Sequence, residues 1–311
     1  MYKKYNIQKE YLNIENYSPF SHINEVSPKF RRSPFKMPFV FRSHESRPVH
    51  PDTFTDLNLN LIDIIDEKEV FPTSSFRTVY DPEENVCYKV PLLRTITRGL
   101  RDLPHKELQR SQKASDLLSS HKLDGFDFLP EECHYANNPV FNYIKRSMPD
   151  LESFPWFYVI ASQDFDKEFE INATSKIIKS WMFFASKGIF LEYHTQNILV
   201  DKESNIIYRD LSDIKSNQHS LLSPSYYDSL LEKNDILATI FDRTVCNQNL
   251  DHLFKYSKKL GDQEYDFFKS LIESEIEKYN LPFPKYSMDF PIDKPQRIPE
   301  KTQLVHWRNF E

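Results

Sequence analysis

The densest run of chemically capable side chains is Glu192-Tyr-His194-Thr-Gln196-Asn197. An apolar Ile-Leu-Val follows, and then, after a turn, Tyr208-Arg209-Asp210. Asn197 and Asp210 stand 13 positions apart. Residues 197–200 and 206–208 read as two strands, joined by the turn formers Asp201-Lys202-Glu203-Ser204-Asn205. An amide oxygen and a carboxylate at the two ends of such a hairpin are hard ligands. They suit Mg²⁺, which takes one or two protein groups and completes its shell with water and substrate phosphates. Glu192 offers a second carboxylate, and His194 and Gln196 bring polar groups to the same segment. The plain alternative is a polar loop that caps a strand.

A second constellation lies earlier. Residues 75–80 and 86–90 read as another hairpin, turned at Asp81-Pro82-Glu83-Glu84-Asn85. Alternation puts Ser75 and Arg77 on one face of its first strand, with Thr78 beside them. Lys89 lies on the second strand, and Thr97 and Arg101 follow at +8 and +12. Alone, a hairpin with two cations reads as a solvated face. Together with the metal-binding pattern it reads as a grip for phosphates, because an Arg fork and a Lys point charge both suit a triphosphate.

Protein kinases set a magnesium-binding Asn and an Asp on either side of a similar hairpin. Their catalytic loop also carries an Asp that receives the proton of the attacking hydroxyl. Residues 193–196 here are Tyr, His, Thr and Gln. The metal platform therefore resembles that of a kinase, and the base is missing.

Composition removes other ways of holding a nucleotide. The 311 residues include only four glycines, where average usage gives roughly 22. They stand at 99, 125, 188 and 261. A dinucleotide fingerprint or a P-loop needs glycines close together, so neither is present. The net charge of −6 gives no overall basic field for nucleic acid. The three cysteines, Cys87, Cys133 and Cys246, form no zinc spacing or disulfide framework, which fits a reducing cytosol. The N-terminal residues have no apolar core of the signal-peptide kind, and no stretch suits a bilayer. A cytoplasmic location without membrane or nucleic-acid partners is expected.

These residues need elements to carry them. Residues 1–50, with five prolines and no period, read as an irregular arm. Helices are expected over 106–120, 174–187 (closed by Gly188), 228–241, 250–259 and 263–279. Residues 126–129, 140–144 and 156–160 are short β-prone runs. The charged 166–170 segment reads as solvated. Strands dominate the middle and helices the end, an α+β pattern with two lobes.

Taken in order, the motifs resemble those of the IucA/IucC-type synthetases, the NRPS-independent siderophore (NIS) synthetases. The matching residues are His50-Pro51, Ser75-Phe-Arg77-Thr78, Lys89-Val-Pro-Leu-x4-Thr97-x3-Arg101, Glu192-x-His194-x-Gln196-Asn197 and Arg209-Asp210. The resemblance spans about His50 to Asp210. It implies a short, divergent member with a palm that carries a kinase-like ATP platform (56–215), a mostly helical thumb with a Pro-rich tail (216–311) and fingers reduced to residues 1–55. It implies ATP and Mg²⁺, adenylation of a citrate-like di- or tricarboxylic acid, and condensation with an amine or hydroxyl. By position, Ser75, Arg77, Thr78, Lys89, Arg101, Arg146, His194 and Gln196 would contact ATP. Lys89, Arg101 and His194 would be catalytic. His50, Thr97 and Arg101 would meet the acid, and Glu192, Asn197 and Asp210 the metal. A homodimer is compatible with it. The rivals are a phosphotransferase releasing ADP and a non-catalytic partner subunit of a full-length synthetase.

Overall fold

The structure is a computed structural model. It describes residues 34–73, 75, 77–96, 99–149, 151–191, 197–216, 221, 257 and 259–281. The helices expected over 228–241 and 250–259 lie outside that set, except for isolated residues at the end of the second.

Phe35, Met37 and Phe39 project to one side of the first strand, β1 (Phe35–Arg42). It turns at Ser43 and His44, both with positive φ, into β2 (Glu45–Pro48). Residues expected to be irregular are thus a hairpin. Its prolines are tolerated for a geometric reason. Pro48 forms a non-hydrogen-bonded pair with Phe39, because the bonded pair is the next one, where Val49 N–H donates to Pro38. The missing N–H of Pro48 therefore faces the open edge, and that of Pro38 lies just past the ladder. A short helix, α1 (Pro51–Asp56), leads by a 3-10 turn into β3 (Ile64–Pro72), which pairs with β1.

The hairpin predicted next is β4 (Thr78–Asp81) and β5 (Val86–Lys89). Asp81 Oδ1 accepts from Glu83 and Glu84 N–H at 2.9 and 3.2 Å, and Asn85 is left-handed, as the turn residues imply. Then come β6 (Leu92–Ile96), β7 (Gly99–Arg101) and α2 (His105–Ser119). Beyond β8 (Phe126–Phe128) and β9 (Glu132–His134), residues 140–144 are not one strand: a 3-10 turn ends at Phe141 and β10 (Tyr143–Ser147) begins.

Next is β11 (Ser153–Pro155), followed by α3 (Trp156–Ala161) where a β-prone run was expected. Trp156 to Ile160 are each at most 2% exposed. A helix buried all round shows no amphipathic period, and Pro155 just ahead of it suits a helix start. Asp166 caps α4 (Lys167–Ser186) by accepting from Phe169 N–H at 2.7 Å, and Gly188, at φ 67, turns the chain beyond it. The rest is β12 (Ile189–Phe190), β13 (Ile198–Asp201), β14 (Ile206–Tyr208), β15 (Lys215–Ser216) and α5 (Asp262–Tyr279).

The chain divides into two compact units, 1–117 with 129–153, and 118–128 with 154–311. The first is built on a seven-stranded sheet of order β2-β1-β3-β4-β5-β10-β9. Its apolar face carries Phe35, Met37, Phe39, Val70, Val79, Val86, Tyr88 and Tyr143. The sheet curls until its edges meet. Arg47 of β2 donates to His134 O (3.4 Å), Tyr135 O (2.5 Å) and Phe141 O (3.0 Å) at the other edge, as well as to Arg42 O (3.0 Å). The second unit holds a four-stranded sheet of order β11-β13-β14-β8, whose two central strands are wholly buried. There α4 packs on α5, with Phe183 against Tyr279. Glu170, expected in a solvated segment, is 0% exposed and pairs with Lys259 Nζ at 3.1 Å. Among the described residues no helix is long and apolar enough to cross a membrane.

Candidate functional site

In the first unit the polar site residues gather on the sheet face opposite the apolar core. Register sets this up: Thr78 faces Lys89 across β4 and β5, Lys89 faces Ile144 of β10, and Arg146 faces Cys87 one row on. Residues opposite each other in an antiparallel pair share a face. Helix α2 covers it, with Leu108, Leu103, Ile144 and Cys133 packed together.

Lys89 ends β5 with 1% of its side chain exposed. Its Nζ meets Glu107 Oε1 of α2 at 3.0 Å, and Arg77 Nη2 meets the same oxygen at 3.2 Å. Arg77 Nη1 also donates to Asp102 O at 2.6 Å. Arg77 and Ser75 are not on a strand, which corrects the same-face expectation: they form the turn ahead of β4. Ser75 N–H donates to Thr73 Oγ1 at 3.3 Å, and Ser75 Oγ accepts from Thr78 N–H at 3.1 Å. Such local side-chain bonds compete with the strand ladder, so the turn wins. A hydroxyl that accepts can still donate its own proton.

Arg146 is buried with Glu131. Its Nε and Nη2 lie 2.7 and 2.5 Å from Glu131 Oε1, and Glu131 N–H donates to Ser115 Oγ at 3.0 Å. Burial pushes the Cys133 thiol up to about 12; Glu131 adds to the shift, while Arg146 and Lys89 oppose it. That places both cations within electrostatic reach of one thiol, and it leaves Cys133 a protonated packing residue rather than a nucleophile. Arg101 closes β7 opposite Leu92, three residues past Lys89. His50 is fully buried, and its Nδ1 accepts from Asp52 N–H at 3.2 Å as the N-cap of α1.

The second unit holds the other pair. Ile198 faces Tyr208 and Arg209 N–H donates to Asn197 O at 2.9 Å, so Asn197 and Asp210 stand at the open end of the β13–β14 hairpin. The closed end is pinned. Asp201 Oδ1 accepts from Glu203 and Asn205 N–H at 2.9 and 2.8 Å, and Lys176 of α4 donates to Glu203 O and Asn205 Oδ1 at 2.8 and 2.7 Å. Asp210 sits at φ 67, ψ 80, a left-handed conformation uncommon outside glycine. Backbones held this way cluster at functional sites. An amide oxygen and a carboxylate on a rigid hairpin fit the donor chemistry of a hard divalent cation. Among the described residues no three His, Cys, Asp or Glu side chains form a metal cluster. Thr97, Glu192, His194 and Gln196 lie outside the described residues.

The reading from sequence named the cations and missed their acids, Glu107 and Glu131. Charged residues on a helix and in a loop, distant along the chain from Lys89 and Arg146, carry no spacing signal. Only the fold brings them there.

Residues 48–146 match the IucA / IucC family. No curated protein sequence matches the chain. Among solved structures it is similar to petrobactin biosynthesis protein AsbB from Bacillus anthracis, with TM-score 0.57 and 12% identity over 91% of this chain and 70% of that one. It is also similar to ATP-bound aerobactin synthetase IucA from Klebsiella pneumoniae, with TM-score 0.52 and 17% identity over 75% and 54%. Aerobactin synthetase IucC from the same organism gives TM-score 0.50 and 16% identity over 82% and 57%. The chain thus spans just over half the length of the two aerobactin synthetases. At these identities the likeness is one of fold, and it bears out the expected synthetase-like α+β architecture.

Proposed function

We propose that this chain, similar to the IucA/IucC siderophore synthetases in fold and matching their family over 48–146, is an ATP-dependent ligase of the NIS-synthetase type. It activates a di- or tricarboxylic acid and passes the acyl group to an amine or hydroxyl. The observation that carries the reading is the pair Lys89 and Arg77, held on one carboxylate within the matched region.

Lys89 and Arg77 bind phosphate oxygens, aided by the hydroxyls of Ser75 and Thr78 and by His194 and Gln196. Arg146 lies on the same sheet face as Lys89, with its charge paired to Glu131. Arg101, Thr97 and His50 would meet the acid. Asn197, Asp210 and Glu192 would hold Mg²⁺, which supplies charge neutralisation at the phosphates. In the first step an acid oxygen bonds to the α-phosphorus, the bond to the bridging β-phosphate oxygen breaks, and pyrophosphate leaves with its electron pair. A carboxylate is already ionised at pH 7, so this step needs no general base. In the second step the amine or hydroxyl attacks the acyl carbon, loses its proton, and AMP departs. Preorganised cations are the largest lever on the charge that develops at phosphorus.

The test is incubation with ATP, Mg²⁺, hydroxylamine and a panel of di- and tricarboxylic acids. AMP with hydroxamate supports the ligase. ADP instead of AMP points to a phosphotransferase, and no turnover with tight binding of a full-length synthetase points to a partner subunit; either result overturns the proposal. Near-normal activity in K89A would remove Lys89 from the site.

A further inference from the structure

We propose that Glu107 is a positioning residue that sets the spacing of Arg77 and Lys89 for phosphate binding; this rests on the role just given to that pair. One atom, Glu107 Oε1, takes both cations, at 3.0 Å from Lys89 Nζ and 3.2 Å from Arg77 Nη2. The three side chains arrive from three places: the end of β5, the turn before β4 and the first turn of α2. No backbone ladder fixes the distance between the tips of two long, rotamer-rich side chains. A shared acceptor does, and it keeps the two charged groups no farther apart than its two contacts laid end to end. Without it two like charges converge and repel.

Exposure sharpens the assignment. Lys89 shows 1% of its side chain, while Arg77 and Glu107 show 12% and 19%. An anion therefore reaches the pair from the Arg77–Glu107 side, past the carboxylate. The second Arg77 contact, to Asp102 O at 2.6 Å, fixes the guanidinium plane, so that swinging of the fork is blocked at two points.

The charge on Glu107 gives the test a sign. A mere counter-ion beside a phosphate site repels phosphate, so its neutralisation leaves ATP binding unchanged or tighter. A positioning residue behaves the other way. ATP binding with Mg²⁺ is measured by equilibrium dialysis on the full chain as wild type, E107Q, E107D and K89A, with AMP formation and thermal unfolding followed in parallel. The expected result is an affinity loss of about tenfold in E107Q at near-wild-type melting temperature. E107D, which keeps the charge one methylene back, falls between the two. Wild-type or tighter binding by E107Q, with K89A weakened, overturns the positioning role and leaves the ligase reading intact. Equal binding by wild type and K89A removes Lys89 from the phosphate site and overturns this inference with it, while AMP formation decides the ligase reading separately. Should E107Q fail to fold, E107D decides: reduced affinity at unchanged melting temperature supports the role, and wild-type affinity overturns it.

Discussion

Arg146 and Glu131 meet at 2.5 Å with side chains 3% and 0% exposed, an ion pair that water does not reach. Removing one partner leaves the other charged and buried, which costs about 3–5 kcal/mol. R146A and E131A are each expected to lose that much in urea unfolding. The double variant R146M/E131L, which removes both charges, is expected to recover most of it. Equal losses in single and double variants would mean that packing, not charge, sets the cost.

Asp210 separates conformation from charge. Its φ of 67 is one that Asn tolerates and Ala does not. D210N is therefore expected to unfold like wild type yet lose tenfold or more of its Mg²⁺-dependent ATP affinity. D210A is expected to lose a further 1–2 kcal/mol or so of stability for the strained backbone. Magnesium dependence is read by repeating the ATP titration in excess chelator, where wild type and D210N should converge.

Glu170 has a pH signature. Burial raises its carboxyl above the ordinary value of 4.5, while Ser257 and Lys259 act the other way. A raised acid holds its proton more tightly in the folded state, so its contribution is greatest at low pH. It declines as pH rises from the ordinary carboxyl range through the folded value. E170Q removes that slope. Relative to wild type, E170Q should gain stability as pH is raised from 4 towards neutrality in urea unfolding. A constant difference between the two proteins would show that Glu170 does not titrate differently on folding.

Arg47 closes the seam of the curled sheet by giving its guanidinium to four backbone carbonyls. Each charge-assisted bond is worth about 1.5–3 kcal/mol, though the four are not additive. R47K, with a point charge in place of a fork, should be almost as destabilised as R47A. Amide exchange is expected to rise in β2 and β9 and to stay slow in β4 and β5. Uniform exchange across the sheet would place the damage elsewhere.

What could be read from residues alone follows the physics of each segment. The β4–β5 hairpin was legible because alternation and turn residues agree there, and the β13–β14 hairpin because two short apolar runs flank a cluster of turn formers. α4 was legible from 174 onward, where Gly188 marks its end, but its first two turns were not, since a charged run reads as solvated surface. β1 was hidden because prolines that break a strand interior do no harm where the ladder ends, and pairing partners are not visible in sequence. α3 was hidden because a wholly buried helix looks like a buried strand. The cations Arg77, Lys89 and Arg146 were legible as residue types. Their acids Glu107 and Glu131 were not, since they come from α2 and the loop ahead of β9 by tertiary placement.

Lys259, 10% exposed, donates to the carbonyls of Val159, Ser162 and Phe165 at 3.0–3.1 Å and pairs with Glu170. The three carbonyl partners lie 94 to 100 residues earlier in the chain. Closing so long a loop is slow and comes late, after α3 and α4 have formed locally. Interactions absent from the folding transition state govern how fast a protein unravels rather than how fast it assembles. The consequence is kinetic: K259M should hasten unfolding severalfold and leave the refolding rate almost untouched, so the lysine acts as a latch on the lifetime of the second unit.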